Sequence, residues 1–175
     1  MDLPGADALN ALSPSAFAAA LAPLFEGAPR FLHRLAGMRP FDSDAAMFVA
    51  AREVAATTPE DELVELLDAH PRIGADPSAM SRLSRDEQQD GDADGGGLAQ
   101  ELADLNAVYE RRFGFRYVVF VAGRPRAAIA PLIEVGLRNE RGAELRRGVD
   151  DAIYIAGDRL RVLRGESNGF EEGGS

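Results

Sequence analysis

Apolar residues recur every three or four positions along most of this chain, a spacing typical of helices with one buried face. In one segment the apolar stripe consists of Leu98, Leu102, Leu105 and Tyr109. The predicted helices cover residues 14–25, 29–36, 45–57, 59–70, 98–113, 125–138 and 140–163. In the last of these, the residues predicted to face inward are Leu145, Val149, Ile153, Ala156 and Leu160.

Local signals place several helix ends. Ser13 is predicted to cap one helix, and Thr58 is predicted to cap another that has Pro59 in its first turn. The helix after Pro59 should end near His70, because Pro71 follows it and the residue before a proline resists helical geometry.

One segment does not fit the helical pattern. Its β-branched and aromatic side chains alone would predict a buried strand. No second segment offers a convincing partner strand, and an isolated strand leaves its backbone groups without hydrogen bonds. The residues themselves therefore leave the conformation open. The segment, residues 117–121, consists of Tyr117, Val118, Val119, Phe120 and Val121.

The chain has 175 residues, about the length of one domain, and neither an internal repeat nor a linker divides it. We expect one domain over residues 1–164. Residues 90–97 are Asp and Gly with a single Ala and are expected to form a solvated loop. The tail 165–175 is rich in Gly, Glu and Ser and is expected to be disordered.

Composition narrows the classes of function. The net charge of −10 disfavours binding to nucleic acids and to anionic membranes. The absence of cysteine excludes disulfides, thiolate metal ligands and a cysteine nucleophile. No apolar run is long enough to span a bilayer, and the first residues lack the basic start of a signal peptide, so we expect a cytoplasmic protein.

The chain contains two histidines, and only His70 lies in a context that suggests chemistry. His33 falls within a helical pattern and is interpreted as a surface or packing residue. His70 is followed by Pro71 and then Gly74, a stiff turn that would hold an imidazole in a fixed place. Histidine is the commonest general acid or base. A histidine in the last turn of a helix also caps it, and that alternative stays open.

A second candidate cluster consists of Ser84, Glu87 and Gln88. Ser84 and Glu87 have the spacing of a capping box, and a plain capping role is the simpler interpretation. If Glu87 and His70 share a pocket, each would shift the protonation of the other. The histidines and acidic residues match no common metal-binding spacing, so no metal site is predicted.

Six groups of residues stand in an order and spacing that resembles one family. They are Arg39-Pro40-Phe41; His70-Pro71-Arg72-Ile73-Gly74; Ser84-x-x-Glu87-Gln88; Asn106-x-x-Tyr109 with Phe113-Gly114-Phe115; Leu137-Arg138-Asn139-Glu140 with Glu144-Leu145; and Ile155-Ala156-x-x-Arg159-Leu160. Together they resemble the OHCU decarboxylase family of urate catabolism, over a stretch from about Leu12 to Leu163.

The resemblance implies an all-α, single-domain helical bundle that is usually a homodimer and uses no metal or organic cofactor. It also implies that residues 117–121 are not part of a sheet. The implied substrate is the small molecule 2-oxo-4-hydroxy-4-carboxy-5-ureidoimidazoline (OHCU), and the products are (S)-allantoin and carbon dioxide. The substrate carries a ring C=N bond next to the carbon that loses the carboxylate, and this bond can accept the electrons in place of a cofactor.

The resemblance further implies roles for single residues. His70 matches the family's catalytic histidine, and Glu87 is a candidate to orient or protonate the substrate. Arg159 matches an arginine that could pair with the carboxylate, with Arg138 and Arg161 as alternatives. The other substrate-binding candidates are Pro71, Ser84, Arg85, Asp86, Gln88 and the backbone of Tyr117, Val118, Val119, Phe120 and Val121.

Three features depart from the usual family pattern. Phe31 stands where Trp is common, Arg116 stands where Pro is common, and the loop 90–97 replaces a shorter link. Two alternatives remain beside the decarboxylase: a non-catalytic helical binding module, and a lyase or hydrolase that acts on another ureide. The presence of both His70 and Glu87 favours the decarboxylase.

Overall fold

The computed structural model describes residues 3–75, 82–83 and 97–165, and none of these residues lies in a β-strand. The predicted all-α fold is confirmed. A 3₁₀ turn, Arg126–Ala128, lies directly before the helix that begins at Ile129. The helices with both ends among the described residues are α1 (Ala6–Asn10), α2 (Pro14–Leu21), α3 (Pro29–Ala36), α4 (Asp44–Thr57), α5 (Glu60–Ala69), α6 (Gly97–Phe113), α7 (Ile129–Gly136) and α8 (Arg141–Leu163).

The helix ends follow the local chemistry, although α2 ends at Leu21 rather than at residue 25, and α7 covers Ile129–Gly136 rather than 125–138. Ser13 caps α2, since its hydroxyl accepts a hydrogen bond of 3.2 Å from the backbone N–H three residues later. Thr58 was expected to cap α5 in the same way, and this prediction is wrong. Its hydroxyl instead donates to the Val54 carbonyl at 2.8 Å, because the last turn of α4 leaves that carbonyl without a helical partner. Helix α5 begins at Glu60, with Pro59 in the capping position and no side-chain cap.

Helix α8 lies at the centre of the fold and packs against α4 and α5. The five residues predicted to face inward from α8 are all buried. Where α8 meets α5, a Cβ atom at Gly148 would lie only 3.0 Å from the Leu67 side chain, so the glycine permits a close approach. This close approach lies near the end of α5, three residues before His70.

The segment 117–121 is irregular and belongs to no sheet. Its backbone finds its partners in side chains of α8 instead. The Val118 carbonyl accepts a hydrogen bond of 2.9 Å from Arg147, and the backbone N–H of Phe120 donates to the carboxylate of Asp151. Two backbone groups of this segment thus have partners on a helix rather than on a neighbouring strand.

Two of the predicted flexible segments lie almost entirely outside the described residues. Of the expected loop 90–97, only Gly97 is described, and it forms the first residue of α6 rather than part of a loop. Of the tail 165–175, only Gly165 is described. Within the described part of the chain, no helix has the length and apolar character needed to cross a membrane.

Candidate active site

His70 follows directly after α5, and its position is dictated by the residues around it. The helix ends at Ala69, and His70 has an extended backbone with φ −73° and ψ 145°, as expected before Pro71. Its backbone N–H still donates to the Leu67 carbonyl at 3.1 Å. The residue is only 4 % exposed, so the imidazole is enclosed within the protein.

The imidazole of His70 is fixed by its own helix. Its Nδ1 atom lies 3.0 Å from the carbonyl oxygen of Leu66. A carbonyl oxygen only accepts hydrogen bonds, so in the neutral ring Nδ1 carries the proton and Nε2 holds the lone pair. Nε2 is buried and has no hydrogen-bond partner among the described residues. Because buried polar atoms nearly always have partners, Nε2 is available to bind a group outside the described residues, from the chain or from a ligand.

The surroundings of His70 keep its imidazole neutral. Burial is the main cause that lowers the pKa of His70 from 6.5 to about 4, and the positive charges of Arg159 and Arg116 act in the same direction. The hydrogen bond to Leu66 and the negative charge of Glu26 oppose this decrease. At neutral pH His70 is therefore uncharged, and its Nε2 can accept a proton.

Arg159 is a buried cation on α8, only 2 % exposed. Its Nη1 donates to the Leu24 carbonyl at 3.1 Å, and its Nη2 lies 3.0 Å from Oε1 of Glu26. The side chain of Arg161 is 50 % exposed, and Arg138 is exposed as well. Of the three arginines considered from the sequence, the geometry therefore favours Arg159 as the cation of the histidine site.

Glu26 is a residue of this site that the sequence analysis missed. It lies in the turn between α2 and α3, where Glu26, Gly27 and Ala28 have φ angles of 54°, 118° and 40°. Left-handed backbone at residues other than glycine costs about 1–3 kcal/mol each and is concentrated at functional sites. This turn directs the carboxylate of Glu26 towards Arg159, and the Glu26 side chain is only 12 % exposed. The one signal in the sequence is an acidic residue directly after the buried Phe25.

The turn that follows His70 is held on both of its sides. Gly74 has a φ angle of 77°, and a Cβ atom there would lie 3.3 Å from the Leu102 side chain, so the position suits glycine. The amide of Asn106 donates to the Ile73 carbonyl at 3.0 Å. The stiff turn predicted from the sequence is thus present, and helix α6 secures it.

A buried polar network between α6 and α8 supports the segment 117–121. The carboxylate of Glu144 accepts hydrogen bonds of 2.5 Å from the Tyr109 hydroxyl and 2.8 Å from the Asn139 amide. Arg147 donates to the same carboxylate and to the Val118 carbonyl, each at 2.9 Å. Burial alone would raise the pKa of Glu144, but the hydrogen bonds from Arg147 and Tyr109 outweigh it and lower the pKa.

A cavity of about 440 Å³ lies against the segment 117–121. Its lining includes Phe120, Arg124, Arg147 and Tyr154 but neither His70 nor Arg159. The chemistry points to the enclosed histidine rather than to this cavity, because the cavity offers no neutral base beside a buried cation.

The structure brings part of the candidate site together. Arg159 lies close enough to His70 for its charge to lower the pKa of that imidazole, and Pro71 extends from the same turn. Among the described residues, no group of three or more histidines and acidic residues is placed to hold a metal ion. Five candidates lie outside the described residues: Ser84, Arg85, Asp86, Glu87 and Gln88.

Comparison with known families agrees with the motifs. A family model described as OHCU decarboxylase matches residues 10–161, which is most of the chain. The chain belongs to the OHCU decarboxylase family. The resemblance drawn from the sequence motifs is thereby confirmed, and the matched region contains His70, Arg159 and Glu26.

Individual relatives give the same result. A 2-oxo-4-hydroxy-4-carboxy-5-ureidoimidazoline decarboxylase of Haloferax volcanii is 29 % identical, over 87 % of this chain and 91 % of the relative. The uric acid degradation bifunctional protein of Bacillus sp. strain TB-90 is 27 % identical over 91 % of this chain, which spans only 32 % of that longer protein. A crystal structure of OHCU decarboxylase in the presence of (S)-allantoin superposes with a TM-score of 0.67 at 25 % identity, covering 82 % of this chain and 96 % of that one.

Proposed function

We propose that this chain catalyses the cofactor-free decarboxylation of OHCU to (S)-allantoin and carbon dioxide in urate breakdown. The observation that carries the proposal is the enclosed, neutral His70, whose Nε2 has no partner among the described residues and whose pKa is lowered by the charge of the buried Arg159. Membership of the OHCU decarboxylase family supports the same reaction, as does the similarity to a structure determined in the presence of (S)-allantoin.

The proposed reaction balances without an external electron acceptor. The bond between the ring carbon and its carboxylate breaks, and carbon dioxide leaves. The bonding pair forms a double bond to the neighbouring ring carbon. The electron pair of the C=N bond moves onto the ring nitrogen, which takes up one proton from water, so the overall reaction consumes one proton. The resulting enol then becomes a carbonyl by losing its hydroxyl proton, while the neighbouring carbon gains a proton and becomes the stereocentre of allantoin.

His70 would perform the proton transfer in the second half of this reaction. Its Nε2 accepts the proton of the enol hydroxyl, because the imidazole starts neutral with its proton on Nδ1. The resulting imidazolium is unstable in its buried setting and passes the proton to one face of the carbon. Proton transfer by a positioned side chain typically contributes about 10²–10⁴-fold to a rate. Delivery from a fixed ring would produce a single enantiomer.

Arg159 would attract and orient the carboxylate of the substrate. A planar guanidinium suits a carboxylate, and burial strengthens the attraction because water does not screen it. From the resemblance we further propose that Glu87 is a second acid–base group and that Ser84, Arg85, Asp86, Gln88 and Pro71 contact the substrate. The backbone of residues 117–121 would bind the amide groups of its ring and ureido substituent.

The assembly and the compartment are also proposals. We propose a homodimer in the cytoplasm, as the resemblance implies. Exposed apolar side chains support a subunit contact, since Tyr154 and Val135 are more than half exposed and Tyr154 stacks on Phe120. Light scattering of the purified protein tests the dimer, and a mass equal to one chain at all concentrations contradicts it.

The test of the reaction generates OHCU in solution by oxidation and hydrolysis of urate and then adds this protein. Circular dichroism follows the product, because enzymatic turnover yields optically active (S)-allantoin and the spontaneous reaction yields the racemate. We expect fast appearance of the (S)-allantoin signal. If only the slow spontaneous formation of racemic allantoin is seen, the proposed function is contradicted, and a non-catalytic binding module is favoured. Faster consumption of a different ureide would assign the chain to another substrate.

A further inference from the structure

We propose that Glu26 is a positioning residue of this site, whose carboxylate holds the guanidinium of Arg159 in place and offsets part of its charge beside His70. The proposal rests on the decarboxylation proposed above. It goes beyond that function by assigning a role to a residue that lies outside all six groups of residues that resemble the family.

The contacts of Arg159 show how the guanidinium is held. Its Nη2 lies 3.0 Å from Oε1 of Glu26, while its Nη1 donates to the carbonyls of Leu24 at 3.1 Å and Pro23 at 3.4 Å. The side chain of Arg159 is 1 % exposed and that of Glu26 is 12 % exposed. The connection between α2 and α3 thus supplies one full negative charge and two carbonyl dipoles to one buried cation.

The backbone that presents Glu26 is costly, which argues against an incidental contact. Both Glu26 and Ala28 adopt left-handed backbone conformations that residues with side chains rarely take. The N–H of Gly27 donates to the Ala22 carbonyl at 3.0 Å and so fixes the turn to the end of α2. Glycine at position 26 would relieve the turn, but it would remove the carboxylate that this backbone directs inward.

The charge of Arg159 needs an offset because the substrate loses its own charge during the reaction. A cation that binds the carboxylate strongly stabilises the ground state more than the transition state, in which that charge is leaving as neutral carbon dioxide. Only interactions that strengthen in the transition state accelerate the chemical step. By sharing the guanidinium with Glu26, the site keeps Arg159 available for orientation while weakening its hold on the departing charge.

The same carboxylate also affects the base. Among the described residues, the charged groups that act on His70 are Arg159 from α8, Arg116 from the segment after α6, and Glu26 from the turn between α2 and α3. Glu26 is the anion of the three. Its removal would make Nε2 a weaker proton acceptor, so both effects predict slower turnover.

The first variant is Glu26→Gln, which preserves the shape of the side chain and removes its charge. We expect kcat to fall by at least about tenfold, with KM unchanged or lower, because substrate binding is retained while transition-state stabilisation is lost. We also expect a smaller protonated fraction of His70 within its titration range, measured from the imidazole nitrogens by NMR. The chain has only two histidines, so a His33→Gln background assigns the signal.

A matched control is Glu62→Gln. Glu62 forms an ion pair of 2.6 Å with Arg34, and its side chain is 13 % exposed, close to the value for Glu26. It lies in the first turn of α5, eight residues before His70. We expect this variant to match wild type in kcat, KM and the titration of His70.

The outcomes separate this inference from the proposed function. If the wild type forms no (S)-allantoin, the proposed function fails, and the NMR titration still tests whether Glu26 acts on His70. If the wild type is active and Glu26→Gln lowers only the melting temperature, Glu26 is merely structural and the inference is overturned. If Glu26→Gln does not fold, the test uses Glu26→Asp instead. Aspartate keeps the negative charge but is one methylene shorter, so its carboxylate lies farther from Arg159. Reduced kcat at constant KM supports the inference, and wild-type kinetics overturn it.

Discussion

The guanidinium of Arg116 donates a hydrogen bond of 2.7 Å to the backbone carbonyl of His70. The backbone N–H of Arg116 also donates to a carboxylate oxygen of Asp68 at 2.9 Å. These bonds join the start of the segment 117–121 to the end of α5. Proline, the residue common at this position in the family, could supply neither donor. A departure from the family pattern thus fixes the turn that carries the histidine.

Loss of this link should slow turnover more than it affects folding. Arg116→Ala removes the bond to the His70 carbonyl but keeps the backbone bond to Asp68. We expect kcat to fall by about tenfold, since small misplacements of catalytic groups can cost up to about 10²-fold. Steady-state kinetics and thermal unfolding measure the two effects. The control is Arg111→Ala, an exposed position on α6, and equal activities of the two variants would contradict the role of Arg116.

The protonation of His70 can be read directly from its ring nitrogens. We expect the neutral tautomer with the proton on Nδ1 at pH 7, because the Leu66 carbonyl accepts from that atom. Burial lowers the pKa of His70 to about 4, so the ring should become charged only near that pH. NMR of nitrogen-labelled protein checks both points. A midpoint near 6.5, or a proton on Nε2 in the neutral ring, would contradict the assignment.

The low pKa of His70 also makes folding stability depend on pH. Because the folded pKa lies below the unfolded value, the unfolded chain binds the proton first as the pH falls from 6.5 to about 4. This group therefore lowers the free energy of unfolding across that window, by up to about 3 kcal/mol. Urea unfolding of wild type and His70→Gln at a series of pH values isolates the contribution. Parallel stability curves for the two proteins would show that His70 is not shielded as described.

The network under the segment 117–121 should matter more for stability than a surface ion pair on the same helix. Glu144 is fully buried, and Arg147 supplies its positive partner. Removal of one partner from a buried pair costs about 3–5 kcal/mol, so we expect Arg147→Met to lower the free energy of unfolding by about 3 kcal/mol. The control is Arg161→Met, whose exposed pair with Asp158 should contribute less than about 1 kcal/mol. Urea unfolding compares them, and similar losses would contradict the network's role.

Much of the helical framework could be predicted because its causes are local. The inward-facing residues of α8 repeat with the helical period, and each is buried as that period requires. The end of α5 at His70 follows from Pro71, since a proline restricts the residue before it. In both cases the deciding interactions lie within a few residues along the chain.

The features that the sequence did not reveal depend on residues far apart in the chain. The segment 117–121 carries a strand composition, but its backbone partners, Arg147 and Asp151, are side chains of a later helix. Glu26 pairs with Arg159 from the opposite end of the chain, across a turn whose left-handed residues include only one glycine. No local pattern encodes such contacts. The capping role predicted for Thr58 is wrong because the ends of two adjacent helices compete for its one hydroxyl, and the end of α4 binds it.

The proposed decarboxylation depends above all on Nε2 of the enclosed His70 as its proton acceptor. The most direct test compares wild type with His70→Gln in a single-turnover assay that follows (S)-allantoin by circular dichroism. We expect a rate at least about 10²-fold lower for the variant, with its helical far-ultraviolet spectrum unchanged. Formation of (S)-allantoin by a folded His70→Gln protein at close to the wild-type rate would contradict it.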